Sequence, residues 1–206
     1  YHHKYNLNLT SRKKTLVLMA LSLLLTAVVV LSIIILNQAS INEVKSVRTV
    51  QMSTTHPVYR SVESMINAKE TSLAAEAVVI DNGTVRSIRD VADKNVPPDI
   101  HTDYKIRLTR IIKGNADNKE ATIALMGGIE DKTNYVIEGV PALKKGDRIL
   151  VFASHGRDGK YYPLSGGTAI AVRNDKGRYI LTKETVAGSD DNERSFTADS
   201  LRSMVK

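Results

Sequence analysis

An uninterrupted apolar segment near the start of the sequence constrains this chain more than any other feature. Residues 15–36 read TLVLMALSLLLTAVVVLSIIIL and contain no charged residue, glycine or proline. As an α-helix this segment would be about 33 Å long, slightly more than the hydrocarbon core of a bilayer. Its hydroxyl residues Ser22, Thr26 and Ser32 can hydrogen-bond to the helix backbone. The segment therefore predicts one transmembrane helix.

The charges that flank this segment predict its orientation. Arg12, Lys13 and Lys14 directly precede it, whereas residues 37–42 carry no charge. The positive-inside rule then places the N-terminus in the cytoplasm and the remainder outside the cell. A cleaved signal peptide is the alternative, but its apolar region is normally about 7–15 residues long and ends at a small-x-small site. The longer run here favours a retained anchor.

The net charge belongs mainly to membrane topology. The chain carries a formal net charge of +7. Lys4, Arg12, Lys13 and Lys14 contribute four of these charges, and no acidic residue precedes residue 37. The remaining part is therefore nearly balanced in charge and lacks the strong positive field of a nucleic-acid-binding domain. We expect no nucleic-acid partner.

The absence of cysteine excludes several classes of exported protein. The chain has no Cys, so it forms no disulfide, no Cys-ligated zinc site and no thiol nucleophile. Bacterial lipoproteins and sortases, which both need a cysteine, are excluded for the same reason. An exported domain of this kind must be stabilised by its hydrophobic core alone, which a chain of this length can provide.

Four regions follow from the composition. We predict a cytoplasmic basic head at residues 1–14, the transmembrane helix at 15–36, a juxtamembrane stalk at 37–56 and an extracellular domain at 57–206. Pro57 suits the first turn of a short amphipathic helix that ends near Thr71.

Short strands separated by turns dominate the rest of the extracellular domain. Alternating apolar residues and turn signals predict strands at 73–80, 84–91, 104–112, 121–126, 135–137, 148–153, 160–164, 168–173 and 178–182. Asp81-Asn82-Gly83 is a hairpin-turn signal. Thr197 can N-cap a last helix, with Phe196 and Leu201 forming a hydrophobic staple. We predict a mainly β fold: a small antiparallel, closed or partly closed barrel with short flanking helices.

Several strings between Glu63 and Lys183 carry a resemblance. In order they are AEAVVI, IIKGN, ATIALMGG, GVPALKKGDRILVF and YYPLSGGTAIAV. This order resembles an uncharacterised class of membrane-anchored surface proteins of Gram-positive bacteria. The resemblance implies an OB-like barrel similar to the netrin/TIMP-type module, at the cell envelope. It consists of turn and strand patterns and assigns no active residues.

Asp99, His101 and Asp103 form a candidate metal site. They alternate on an extended segment, so their side chains share one face. Two carboxylates and an imidazole suit zinc or manganese. The alternative, which we favour, is a solvated strand edge after Pro97-Pro98, because no cysteine and no second histidine cluster accompanies them.

Four basic residues form a candidate anion-binding face. Lys105 and Arg107 alternate with Tyr104, Ile106 and Leu108, and Arg110 and Lys113 follow. Such a face suits an anionic wall polymer or lipid phosphate. The alternative is the solvated side of an ordinary strand.

No catalytic residue is assigned. Ser154, His155 and Asp158 lie in one glycine-rich turn, whereas a Ser-His-Asp triad draws on separate elements. A Ser-Lys dyad is the most serious enzyme hypothesis, because residues 144–152 resemble a turn and strand of membrane signal peptidases. Their nucleophile lies in a Ser-Met-x-Pro stretch, and here Ser64-Met65 continues without proline. We expect water to screen His101 and His155 and to leave their geometry unfixed.

Three functions remain open. The first is a non-enzymatic, membrane-tethered extracellular binding or assembly module without a cofactor, whose partner is an envelope protein or an anionic wall polymer. The second is a membrane-anchored hydrolase of Ser/Lys or metal type. It would be favoured by a buried Lys or His that touches a Ser or carboxylate in the barrel mouth. The third is an assembly subunit recruited by its membrane helix, although residues 15–36 contain no Gly-xxx-Gly face.

The predicted orientation can be checked with intact protoplasts. Because Arg12, Lys13 and Lys14 favour the cytoplasmic side, added protease should digest the chain beyond residue 37 and spare the basic head. Immunoblotting with antibodies against each end measures the outcome. Protection of the C-terminal part would contradict the orientation.

Overall fold

The computed structural model describes residues 28, 47–53, 55–88, 98–116, 118–187, 190–192 and 194–206. The chain divides into two compact units, Tyr1–Val47 and Arg48–Lys206. Within the first unit Val28 is helical and exposed; the rest of the predicted transmembrane helix lies outside the described residues. No helix within the described part is long and apolar enough to cross a membrane.

The second unit is mainly β, as predicted, and its helices are short. Its strands are β1 (Arg48–Met52), β2 (Leu73–Val79), β3 (Thr84–Ile88), β4 (Asp99–Lys113), β5 (Glu120–Met126), β6 (Gly128–Glu130), β7 (Thr133–Ile137), β8 (Arg148–His155), β9 (Tyr161–Pro163), β10 (Ile170–Val172), β11 (Tyr179–Ile180) and β12 (Ser195–Phe196). The helices are α1 (Val62–Ile66) and α2 (Ala198–Arg202), with a 3-10 turn at Ser165–Gly167.

Five of these strands close into a barrel. Around the ring the order is β2, β4, β5, β9 and β8, and β8 pairs again with β2. The pairs are antiparallel except β5 with β9, which run parallel where Ile123 faces Tyr161. Strand β3 extends the sheet beside β4, and β10 does so beside β8. Closure gives the strands of the ring partners on both sides, which removes free edges.

Strand β8 is covered on both of its faces, and this explains its continuous apolar sequence. Ile149, Val151 and Ala153 belong to the core inside the barrel. Leu150 and Phe152 belong to a second core on the outer side of β2, β8 and β10. Because side chains alternate between the faces of a strand, RILVFA can supply both cores at once.

The second core is completed by the two helices and the last strands. Ser61 N-caps α1 and Thr197 N-caps α2, each in a capping box with a serine three residues later. Phe196 packs edge-on against Phe152 at 5.9 Å and is stacked with Tyr179 at 6.0 Å between ring centroids. Phe196 and Leu201 are buried in the same cluster, as the predicted hydrophobic staple requires.

The folded unit begins earlier than the sequence suggested. The predicted stalk extended to residue 56, but β1 lies inside it and pairs in parallel with β7, from Arg48 beside Thr133 to Met52 beside Ile137. The predicted helix at 57–71 is shorter than expected, because Tyr59 forms a bridge to Val186 and α1 starts only after Ser61. Both differences arise because residues 48–59 pair with residues far along the chain, which local sequence patterns do not show.

One hairpin prediction was wrong in its pairing. The turn at Asp81-Asn82-Gly83 forms, with Gly83 at φ +77° and its N–H donating to Asp81 Oδ1 at 3.1 Å. The flanking strands β2 and β3 nevertheless do not pair with each other. Both edges of β2 are taken by β4 and β8, so β3 pairs with the N-terminal half of β4 instead.

The second core predicts a strong effect of truncating Phe152. Its side chain is fully buried against Phe196, so Phe152→Ala should lower the free energy of unfolding by about 3–5 kcal/mol through lost burial and a residual cavity. Chemical denaturation of the full chain in an uncharged detergent measures this. Ile129→Ala, at a position 57 % exposed, is the control and should change it by less than about 0.5 kcal/mol. Equal effects would contradict the assigned core.

Candidate functional site

The outer face of β4 carries the residues that the sequence singled out as a metal site. Asp99, His101 and Asp103 lie on one face, and His101 is directly opposite Arg86 of β3. The segment is not the solvated strand edge that we favoured. It lies between β3 and β5 and is paired on both sides, since His101 and Asp103 also face residues of β5.

Two segments from different parts of the chain, strand β3 and the turn between β8 and β9, converge on Asp103. Arg86 comes from the connection between β2 and β4, and its Nε lies 3.4 Å from Asp103 Oδ2. Lys160 comes from the turn between β8 and β9, and its Nζ lies 2.5 Å from the same oxygen. We call Arg86, His101, Asp103, Lys160 and Tyr162 the loop-face cluster. Arg86 is brought there by the pairing of β3 with β4, and Lys160 by the closure of the barrel through β9.

Tyr162 links the two sides of the loop-face cluster. Its hydroxyl donates to Asp158 Oδ2 at 2.8 Å and accepts from Arg86 Nη2 at 3.5 Å. The hydrogen bond to Asp158, and then burial, raise the pKa of Tyr162 above its ordinary value. The same hydrogen bond lowers the pKa of Asp158. The ring of Tyr162 also meets His101 edge-on, with centroids 6.3 Å apart.

The loop-face cluster is largely shielded from water. The side chains of His101 and Asp103 are 13 % and 17 % exposed. His101 is therefore not screened by water as expected, and its Nε2 lies 2.9 Å from Asp99 Oδ1. Three buried atoms of this cluster, His101 Nδ1, Asp103 Oδ1 and Arg86 Nε, make no hydrogen bond within the described residues. Such atoms cost stability, and in native proteins they call for an explanation.

The metal hypothesis gains no support from this geometry. His101 and Asp99 contact each other, while the Asp103 carboxylate is occupied by the cations Lys160 and Arg86. Across the described ranges, no group of three or more His, Asp or Glu side chains is placed to hold a metal ion.

Most of the four candidate anion-binding residues serve the fold. Lys105 and Arg107 are exposed on the outer face, as predicted, but Arg107 pairs with Glu120 at 3.0 Å. Arg110 donates to Asp199 Oδ1 at 2.6 Å. Lys113 Nζ donates to the carbonyls of Ile66 and Ala68, at the end of α1. The structure therefore does not bring the four together as one free basic face.

The described contacts place the residues of the Ser-His-Asp and Ser-Lys hypotheses in other roles. His155 ends β8 and packs edge-on against Tyr161 at 4.9 Å, in the predicted hairpin. The hydroxyl of Ser64 donates to the Ser61 carbonyl and accepts from its N–H, so it caps α1. Lys160 contacts two carboxylates, those of Asp103 and Asp158, rather than a hydroxyl nucleophile.

Sequence reasoning missed three members of the loop-face cluster: Arg86, Lys160 and Tyr162. Each lies in a segment with ordinary strand or turn composition, and nothing in that composition shows which distant residue it will meet. The chain matches no protein-family model and no curated protein sequence. The geometry of the barrel and of the loop-face cluster is therefore the basis for a functional proposal.

The Asp103–Lys160 ion pair should be energetically coupled. Both side chains are mostly buried, at 17 % and 24 % exposure, so a double-mutant cycle with Asp103→Asn and Lys160→Gln should give a coupling energy of about 1–3 kcal/mol. The exposed Arg107–Glu120 pair, which joins β4 to β5, is the control and should give less than about 1 kcal/mol. Chemical denaturation of the full chain measures both cycles. A coupling no larger than that of the control would contradict the assigned ion pair.

Proposed function

We propose that this chain is a membrane-tethered, extracellular binding or assembly module of the cell envelope that engages its partner through the loop-face cluster. One observation carries the proposal: Arg86, from strand β3, and Lys160, from the turn between β8 and β9, both reach Asp103. Side chains from separate segments that a rigid scaffold brings to one surface are the usual makeup of a binding site.

The topology of the ring supports an OB-like barrel. Numbered along the chain, the ring strands are β2, β4, β5, β8 and β9, and their order around the barrel is 1-2-3-5-4, returning to 1. The parallel contact joins the third and fifth. OB-type barrels bind through the face of their second and third strands and through the loops 1–2 and 4–5. In this chain those positions carry the loop-face cluster, in keeping with the netrin/TIMP-type resemblance.

The charges of the cluster favour a protein partner. Arg86 and Lys160 are balanced by Asp103 and Asp158, and Asp99 lies beside His101. A surface with both signs of charge and a tyrosine offers donors and acceptors to a polar protein surface but little attraction to a polyanion. Arg86 and Lys160 have long, flexible side chains, so a partner that displaces them gains access to Asp103 Oδ1 and His101 Nδ1. Among the envelope partners considered, a protein therefore fits this face better than an anionic wall polymer or a nucleic acid.

The proposed location depends on the sequence outside the barrel. Residues 15–36 supply the single bilayer-spanning helix, and Arg12, Lys13 and Lys14 keep the N-terminus in the cytoplasm. The barrel is then extracellular, on a cell of the Gram-positive type that the resemblance implies. The lipid bilayer is its first partner.

The hydrolase alternative receives less support. The Lys160–Asp103 contact is of the kind expected near a catalytic centre, but it lies on the outer face of the barrel wall. A Lys that acts as a base is activated by apolar or cationic surroundings, whereas Lys160 has two carboxylate neighbours. We therefore assign no catalytic residue.

Partner capture from native membranes tests the proposal. The full chain, the double variant Asp103→Asn/Lys160→Gln and the control Arg107→Gln/Glu120→Gln are crosslinked in cells, and the captured proteins are quantified by mass spectrometry. Both variants keep the net charge: the first removes the ion pairs of Asp103 and Lys160, and the control removes the Arg107–Glu120 pair. We expect the wild type and the control to capture the same envelope protein, and the loop-face variant to lose it by about tenfold or more.

Two results would count against the proposal. The first is equal capture by the loop-face variant, once circular dichroism has shown that all three chains are folded. The second is turnover of peptide, ester or phosphodiester substrates by the purified full chain that Lys160→Gln abolishes, which would favour the hydrolase.

A further inference from the structure

Two arginines lie side by side on another part of the barrel wall. Arg148 begins β8, and Arg173 directly follows β10. The N–H of Arg173 donates to the carbonyl of Arg148 at 2.8 Å, so the two residues are opposite each other across the antiparallel pair. Like charges in directly opposite positions destabilise such a pair.

The guanidinium groups of Arg148 and Arg173 form no salt bridge with a carboxylate of the described residues. Within the described residues, neither side chain makes an ion pair or a side-chain hydrogen bond, and both are exposed. They line a cleft of about 430 Å³ together with Glu76, Arg110 and Tyr179. The other charged groups of the cleft are already engaged: Tyr179 donates to Glu76 at 2.7 Å, and Arg110 donates to Asp199 at 2.6 Å.

Both guanidinium groups act electrostatically on Tyr179, which also lines this cleft. Burial, and then the hydrogen bond to Glu76, raise the pKa of Tyr179, whereas Arg173 and Arg148 act in the opposite direction. Arg148, Arg173 and Tyr179 line the same cleft. They border one shared space rather than two separate patches of surface.

Gly177 positions one of the two cations. Its φ is +75°, and Arg173 Nη2 lies 3.0 Å from the point where a Cβ of residue 177 would be. The absent side chain lets the guanidinium group lie against the turn, beside the cleft.

We propose that this cleft binds a phosphoryl group held between Arg148 and Arg173. The planar guanidinium fork matches the oxygens of a phosphate, and each group can donate two hydrogen bonds to it. A phosphoryl group keeps two free oxygens in a diester and three in a monoester, so it can accept hydrogen bonds from both guanidinium groups at once. The volume of the cleft also leaves room for the small polyol of a phosphate ester.

The chemistry of this site differs from that of the loop-face cluster. The cleft offers an excess of guanidinium groups, whereas the loop-face cluster has both signs of charge. Lipid headgroups and soluble or polymeric phosphate esters share the phosphoryl group that Arg148 and Arg173 recognise. The two proposals can therefore fail separately.

Binding of inorganic phosphate and glycerol 3-phosphate to the full chain in uncharged detergent tests the site. Isothermal titration calorimetry and thermal unfolding are measured at constant ionic strength. We expect both ligands to bind and to raise the melting temperature of the wild type, and Arg148→Gln/Arg173→Gln to weaken binding by about tenfold or more. The control Lys119→Gln/Lys132→Gln removes the same charge away from the cleft and should bind like the wild type.

Mixed micelles that contain phosphatidylglycerol or phosphatidylcholine distinguish the source of the ligand. Displacement of inorganic phosphate by phosphatidylglycerol alone identifies a lipid headgroup, and displacement only by glycerol 3-phosphate identifies a non-lipid ester. Absence of binding by the wild type, unchanged affinity in Arg148→Gln/Arg173→Gln, or an equal loss in the lysine control would overturn the proposal.

Discussion

The double pairing of β8 is the constraint on which the rest of this structure depends. One edge of β8 pairs with β2, while its other edge pairs with β10 along its first half and with β9 along its end. The pairing with β9 closes the barrel. The alternation of Ile149 and Val151 with Leu150 and Phe152 fills one core inside the barrel and another outside it. Loss of this strand would therefore open the ring and separate α1 and α2 from it.

Barrel closure also builds the loop-face cluster. Once β8 and β9 complete the ring, their connecting turn brings Lys160 to Asp103 of β4, which Arg86 approaches from the other side. The same register places Arg148 opposite Arg173. Two surfaces of different charge thus arise from one set of strand pairings. The mixed cluster suits a polar protein surface, and the paired arginines suit a phosphoryl group.

Sequence patterns predicted the positions of strands and helices better than they predicted which strands pair. The alternation around Lys105 and Arg107 correctly gave the outer face of β4, and Thr197 correctly marked the start of α2. The Asp81-Gly83 turn was also correct, but the inferred pairing of β2 with β3 was wrong. A turn is set by local backbone preferences, whereas pairing depends on which strands compete for an edge.

The sequence by itself determined the β character of the domain, the cysteine-free core and the shared face of Asp99, His101 and Asp103, because these follow from composition and from the two-residue period of a strand. It also carries the prediction of a membrane anchor at residues 15–36. Only the tertiary structure decided that Asp103 meets Lys160 and that Arg148 meets Arg173. These contacts join residues far apart in the chain, and their partners are chosen by barrel closure and strand register, which no local pattern encodes.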